Sequence, residues 1–258
     1  MTIQTTEALL NKLIDIAWEA SDAVLDIYQN NIDYSIKSDG SPLTQADLAS
    51  HEIIVTKLHA LTPEMPIISE ESANLESIEG QNPHQFWLVD PLDGTKEFIN
   101  RNGEFTINIA LIEATQPVMG VVCAPALHTL YAGLKGKGAF KMDSAGHKKP
   151  ITVLKTTKEG LYVVGSRSHG APAAMDAYLA NKKIARFIAT GSSLKFCKIA
   201  EGTAHLYPRL GRTMEWDTAA GHAVLAAAGG SVEQLDGTPL YYGKKGFENP
   251  HFVAKAIS

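Results

Sequence analysis

The chain is 258 residues long, 45% hydrophobic and 20% charged, a composition that supports a sizeable core and excludes the polar, charge-dense regime of disordered chains. A net charge of -5 argues against a general binder of nucleic-acid polymers, which meets phosphates with a basic face. Two cysteines, Cys123 and Cys197, give no disulfide framework and no zinc ligand set, so a reducing cytoplasm is the expected compartment, with the inner membrane face as a peripheral alternative.

The first element is a helix. Leu9, Leu10, Leu13, Ile14, Ala17, Ala20, Val24, Leu25 and Tyr28 recur at helical spacing, which predicts an amphipathic helix from about Glu7 to Gln29. Glu7, Asp15, Glu19 and Asp22 interrupt its apolar content, so it is no signal peptide. No apolar run of about 18 residues follows anywhere, and no transmembrane segment is expected.

YSIKSDGSPLT then reads as a hairpin turning at Asp39-Gly40, and a helix capped by Thr44 should start at Gln45. The short apolar runs of MPIISEES, FWLVDPLDGT and FTINIALIEATQPVMGVVCAPALHTLYAGLKGKGAF predict a mostly antiparallel sheet. The Gly-Lys-rich patch from Lys135 to Lys149 reads as a hairpin and surface loop. It is the candidate boundary between an α+β half, 1–150, and an α/β half, 151–258. In the second half strands at LYVVGS, ARFIAT and AHLYPRL alternate with helices near APAAMDAYLAN, through SSLKFCKIAEG and at TAAGHAVLAAAGG.

The chemistry concentrates in WLVDPLDGT. Asp90 ends an apolar run, and Pro91 turns the chain so that Asp90, the Leu92 carbonyl and Asp93 can face one point. Two carboxylates about 4 Å apart repel by roughly 4 kcal/mol at an effective dielectric near 20, and a hard divalent cation reverses that sign. Gly94-Thr95 opens a short helix whose free N–H groups suit a phosphate. On spacing alone a plain Asp93-Gly94 turn with Asp90 as a strand-end cap fits equally.

D-P-L-D-G-T (90 to 95), I-S-E-E-S (68 to 72) and W-D-T-A-A-G (216 to 221) together resemble the signature of the lithium-sensitive, Mg²⁺-dependent phosphomonoesterases. These are the inositol monophosphatases, fructose bisphosphatases and 3'(2'),5'-bisphosphate nucleotidases. The resemblance implies a layered αβαβα sandwich with the site between two halves. It makes Glu70, Asp90, the Leu92 carbonyl, Asp93 and Asp217 the ligands of two or three Mg²⁺. Glu71 keeps the reading of a solvated loop residue. Asp47 fits a capping box with Thr44, and the family pattern also pairs it with Thr95 to polarise water. Glu70, Thr95 and Asp47 are therefore the expected catalytic residues.

The stretch from Gly191 to Gly230 is more similar to the bacterial 3'(2'),5'-bisphosphate nucleotidases of the CysQ type, through S-S-L-K (192 to 195) and L-Y-P-R (206 to 209). The resemblance implies a phosphorylated nucleotide, adenosine 3',5'-bisphosphate, as substrate. Its second phosphate needs donors, which Lys195, Arg209 and Ser192 or Ser193 can supply, while His169 can meet the adenosine portion. Glu70, Leu92, Asp93, Gly94, Thr95 and Asp217 would surround the scissile phosphate. Each also has an ordinary reading: Lys195 as a solvated helix lysine, His169 as a loop histidine, Tyr207 as core. Where many relatives carry Ala-Asp this chain has Ala204-His205, so no acidic substrate contact is expected there. An inositol monophosphatase or related sugar phosphatase is the rival activity, and a non-catalytic nucleotide-binding regulator the rival of another class. Oligomeric state has no sequence signal.

Overall fold

A computed structural model describes residues 3–30, 32–37, 40–72, 83–155, 158–166 and 172–256. Helix α1 (Glu7–Tyr28) begins where Thr6 accepts the Leu9 N–H, and it buries Leu10, Leu13, Ile14, Ala17 and Val24. Strands β1 (Tyr34–Ile36) and β2 (Pro42–Thr44) pair antiparallel as expected, Gly40 adopting a φ of 82° between them, while Asp39 lies outside the described residues. Helix α2 (Gln45–Leu61) follows directly.

Both helices cover one face of a seven-stranded sheet. Its strands run in chain order: β3 (Ile67–Ser69), β4 (Gln85–Asp93), β5 (Thr106–Glu113), β6 (Gln116–Ala124), β7 (Thr129–Leu134), β8 (Gly138–Asp143) and β9 (Lys148–Ile151). Only β3 and β4 are parallel; the other pairs are antiparallel. The Gly-Lys-rich patch supplies the β7–β8 and β8–β9 hairpins of this sheet.

The period of two decides which face each β4 residue serves. Trp87 and Val89 pack with the α1 and α2 side chains, whereas Phe86 and Leu88 face a second apolar cluster. That cluster is filled by α5 (Leu194–Ala200) and α6 (Glu215–Ala227), after the short α3 (Thr95–Ile99) and α4 (Pro172–Leu179). Its far wall is a five-stranded sheet of β10 (Leu161–Gly165), β11 (Ile184–Ala189), β12 (Leu206–Arg209), β13 (Gly230–Gln234) and β14 (Phe252–Ala256), ordered β11-β10-β12-β14-β13. On its outer face Val163, Leu206 and Val253 meet Tyr178 and Leu179 of α4. The layers are therefore α, β, α, β, α, as expected.

Two details depart from the sequence reading. The second sheet is mixed, because β14 runs antiparallel to both β12 and β13, and the alternation named neither β13 nor β14. Helix α6 begins at Glu215, ahead of the expected start at Thr218, so Asp217 sits inside its first turn. Among the described residues no helix is long and apolar enough to cross a membrane.

Candidate active site

Glu70 leaves the end of β3 with its backbone N–H bonded to the Val89 carbonyl, 3.1 Å. One residue on, Asp90 shares the face of Leu88 and points toward the α5–α6 layer. Pro91 has no N–H to give the ladder, so pairing slips: Asp90 opposes Asn108 and Asp93 opposes Thr106, leaving one extra residue on β4. Pairing stops at Pro91 only locally, because the strand resumes at Asp93. The bulge turns the Leu92 N–H back onto Asp90 Oδ1, 3.1 Å. Gly94 follows at φ 90°, a left-handed conformation that costs glycine little, and starts α3.

Asp217 arrives from the other half on α6, held by close packing on the sheet. A methyl group at Gly120 on β6 would stand 2.5 Å from the Ala220 carbonyl, so only glycine lets the helix approach this near. The Asp217 carboxylate caps its own helix by accepting the Met214 N–H, 2.8 Å. Carboxylate oxygens of Glu70, Asp90 and Asp217 thereby lie within 4.8 Å of one another. Asp93 stands beside this trio, close enough that its charge acts on Glu70, Asp90 and Asp217, and its Oδ2 accepts from Ser193 Oγ at 3.0 Å.

Like charges in a dry site cannot all ionise cheaply. Burial, then Glu70, Asp93 and Asp217, push the Asp90 carboxyl well above the usual carboxylate range. Burial and Asp93 push Asp217 up to about 8. Glu70 is raised by burial, against Lys37. Oxygen-only donors with protons held this strongly are what a hard divalent cation displaces, so the residues present fit Mg²⁺. Lys37, which the sequence reading passed over, is bonded to Glu70 at 2.8 Å and also to Glu71. Glu71 is correspondingly no solvated loop residue; its side chain is 8% exposed.

Asp47 closes the expected capping box and also reaches Thr95. Oδ2 accepts the Thr44 N–H at 2.8 Å and the Thr44 hydroxyl at 2.6 Å, closing the capping box. Oδ1 remains for the Thr95 hydroxyl at 3.4 Å, while the Leu92 carbonyl lies 3.3 Å from the same hydroxyl.

A pocket partly open to solvent continues from Asp93, Gly94 and Asp217 to Ser192, Ser193, Lys195 and Arg209. Lys195 is buried, not solvated, and burial lowers it to about 8 against the pull of Asp93. Its Nζ donates to the Ser192 carbonyl, 2.5 Å, and lies 5.4 Å from the Tyr207 ring centroid. The Arg209 Nε–H is buried without a described acceptor. Ser192 has a φ of 48°, and its hydroxyl meets Thr106 Oγ1 at 2.6 Å. Tyr207 is core, edge-on to Phe196 and Phe252. His205 does not line this pocket; it is buried and accepts the Tyr162 N–H at 2.9 Å. His169 lies outside the described residues. Glu97, unremarked in the sequence, also lines the pocket, where burial raises its carboxyl.

Comparison with known proteins gives a consistent picture. Residues 6–256 match the model of the inositol monophosphatase family. A 3'(2'),5'-bisphosphate nucleotidase of Escherichia coli (strain K12), CysQ, is 46% identical over 247 residues, covering 95% of this chain and 98% of the relative. The enzyme of the same name from Buchnera aphidicola is 44% identical over 255 residues, covering 96% and 94%. Among solved structures, CysQ from Bacteroides thetaiotaomicron superposes with a TM-score of 0.84 at 38% identity, covering 97% of each chain.

Proposed function

The chain belongs to the inositol monophosphatase family, and on that premise we propose that it is a Mg²⁺-dependent phosphomonoesterase converting adenosine 3',5'-bisphosphate to AMP and phosphate. The observation that carries this reading is that one pocket runs from Asp93 and Asp217, at the edge of the acidic group, to two cations, the buried Lys195 and the half-buried Arg209. A monoester with a single phosphate needs only the first. A bisphosphate needs both, because the phosphate that stays must be held while the other leaves.

Glu70, Asp90, Asp93, Asp217 and the Leu92 carbonyl would hold the cations. Bound Mg²⁺ supplies charge neutralisation, a lowered water pKa and stabilisation of the leaving oxygen. The chain's own part is positional. Thr44 occupies both donor contacts on Asp47 Oδ2, so Oδ1 is left to take the Thr95 proton. That leaves the Thr95 oxygen lone pairs outward, where they would accept a hydrogen bond from water, with Glu70 as the second acceptor. Gly94 and Thr95 N–H groups at the start of α3 face the phosphate. Lys195 and Arg209 Nε–H hold the remaining phosphate, Ser192 lines its path, and His169 is assigned to the adenosine. The cytoplasm, where the buried thiols of Cys123 and Cys197 stay reduced, is the proposed compartment.

The test is turnover of adenosine 3',5'-bisphosphate beside inositol 1-phosphate, in wild type and in Lys195→Ala and Arg209→Ala. Each variant should lose about 10- to 100-fold in kcat/KM on the bisphosphate, the worth of one charge-assisted hydrogen bond, and almost nothing on the single-phosphate ester. Faster inositol phosphate cleavage by wild type defeats the substrate assignment. Tight nucleotide binding with zero turnover defeats the enzyme reading in favour of a sensor.

A further inference from the structure

The geometry points to Ser193 and Asn108 as positioning residues that hold the two halves of the acidic cage in register, an inference that rests on the phosphatase reading above. Strand β5 is apolar around Asn108, yet this amide is 1% exposed. A buried amide needs partners, and its one described hydrogen bond runs from Nδ2 to Ser193 Oγ, 3.0 Å, with no described partner for Oδ1. The period of two places Asn108 opposite Asp90 and on the side of β5 turned to α5, so it faces the cage and not α1.

Because the amide donates, Ser193 must use its single proton on the other side. Two acceptors wait there: the Asp217 carbonyl at 2.6 Å and Asp93 Oδ2 at 3.0 Å. Ser193 is thus a bridge between the end of β4 and the first turn of α6, segments more than a hundred residues apart that carry different ligands. Its hydroxyl is consumed by the cage, which leaves Ser192, one residue earlier, on the substrate side of the pocket. Asn108 acts through Ser193: it fixes the direction of the serine proton and so the rotamer of Asp93, without touching substrate or ion.

The experiment is calorimetric titration of Mn²⁺ and Mg²⁺ into protein without substrate, alongside thermal unfolding of the same metal-free samples. Asn108→Ala and Ser193→Ala should each weaken ion binding by about tenfold to a hundredfold, the usual cost of removing an outer partner of a ligand. The double variant should bind no worse than Ser193→Ala alone. A residue serving only the core would lower the melting temperature and leave ion affinity within about twofold of wild type, and that result, or additive losses, overturns the inference. Ser193→Ala removes one oxygen atom and reads the same contact if Asn108→Ala does not fold. Wild-type protein that binds no divalent ion overturns the phosphatase reading and this inference together. Wild type that binds ions beside unaffected variants overturns the positioning role alone.

Discussion

Two groups of buried acids in this chain are built on opposite plans. Glu201, at the end of α5, accepts from the Tyr131 hydroxyl at 2.9 Å and from Lys141 and Lys198 at 3.0 Å each. Burial pushes its carboxyl up, but the two lysines outweigh burial and hold it below the usual value. The group is finished, and it ties the seven-stranded sheet to the inner helical layer. Glu70, Asp90 and Asp217 are as enclosed but face one another, and burial plus mutual repulsion drive them the other way. An acid neutralised by the chain's own cations serves the fold, whereas acids left short of positive charge are suited to a visiting one.

The largest effect should come from breaking the unfinished group. Asp217→Asn should lower kcat/KM by about a hundredfold to a thousandfold in a phosphate-release assay, the scale of losing electrostatic support at the reacting phosphate. The same change removes a carboxyl that folding forces to take up a proton, so the metal-free variant should melt higher than wild type by about 2–4 °C, corresponding to roughly 1 kcal/mol. A lower melting point would show that Asp217 serves the fold as Glu201 does.

Next in size is the response to ions and pH. Mg²⁺ at a hundred times its dissociation constant should stabilise the folded state by about 2.7 kcal/mol. Without it, Asp217 keeps its proton up to about 8 in the folded chain and loses it near its ordinary value of 3.8 when unfolded. The folded state then binds the extra proton, so metal-free stability is highest below the unfolded value and declines as pH rises toward 8. Unfolding scans between pH 5 and 8 should show melting fall with pH in chelator and hold level in saturating Mg²⁺. Equal slopes would sink the cation reading.

Glu201→Gln sharpens the contrast from the other side. Its lysine partners are partly exposed, so the loss should be only about 1 kcal/mol, or 2–4 °C, with turnover unchanged.

What could be read from the sequence divides along the same line. The Thr44–Asp47 capping box was legible because its partners are three residues apart, and the α1 stripe because one helix suffices to show it. The bond from Thr95 to Asp47, and the Asn108–Ser193–Asp93 chain, join residues 48 to 100 apart, and no periodicity announces such meetings. The three acidic motifs were assigned through family resemblance for the same reason. The start of α6 was missed because Met214 looks unlike a cap; the cap is Asp217 reaching back from inside the helix. Lys195 was weighed as a surface lysine since helical spacing does not reveal that α5 is enclosed by two sheets.

The smallest expected effect concerns Lys37, where the two plans meet. Its ammonium bonds Glu70 and Glu71, so the chain lends the cage one cation of its own at the rim. Burial alone would lower Lys37, but these two carboxylates hold it above its ordinary value, and it stays charged through the alkaline range. An ion entering the cage must therefore compete with Lys37 for Glu70. At pH 8, Lys37→Met should tighten Mg²⁺ binding by about two- to fivefold, the worth of one partly exposed ion pair. Near pH 5 the gain should vanish, because Lys37 is also what opposes the raised carboxyl of Glu70, and without it a proton takes the vacated place. Calorimetric titrations of wild type and Lys37→Met at both pH values measure this directly. Weaker binding at pH 8 would mean that Lys37 completes the ion site and does not contest it, placing it with Lys141 and Lys198 as a cation the fold relies on.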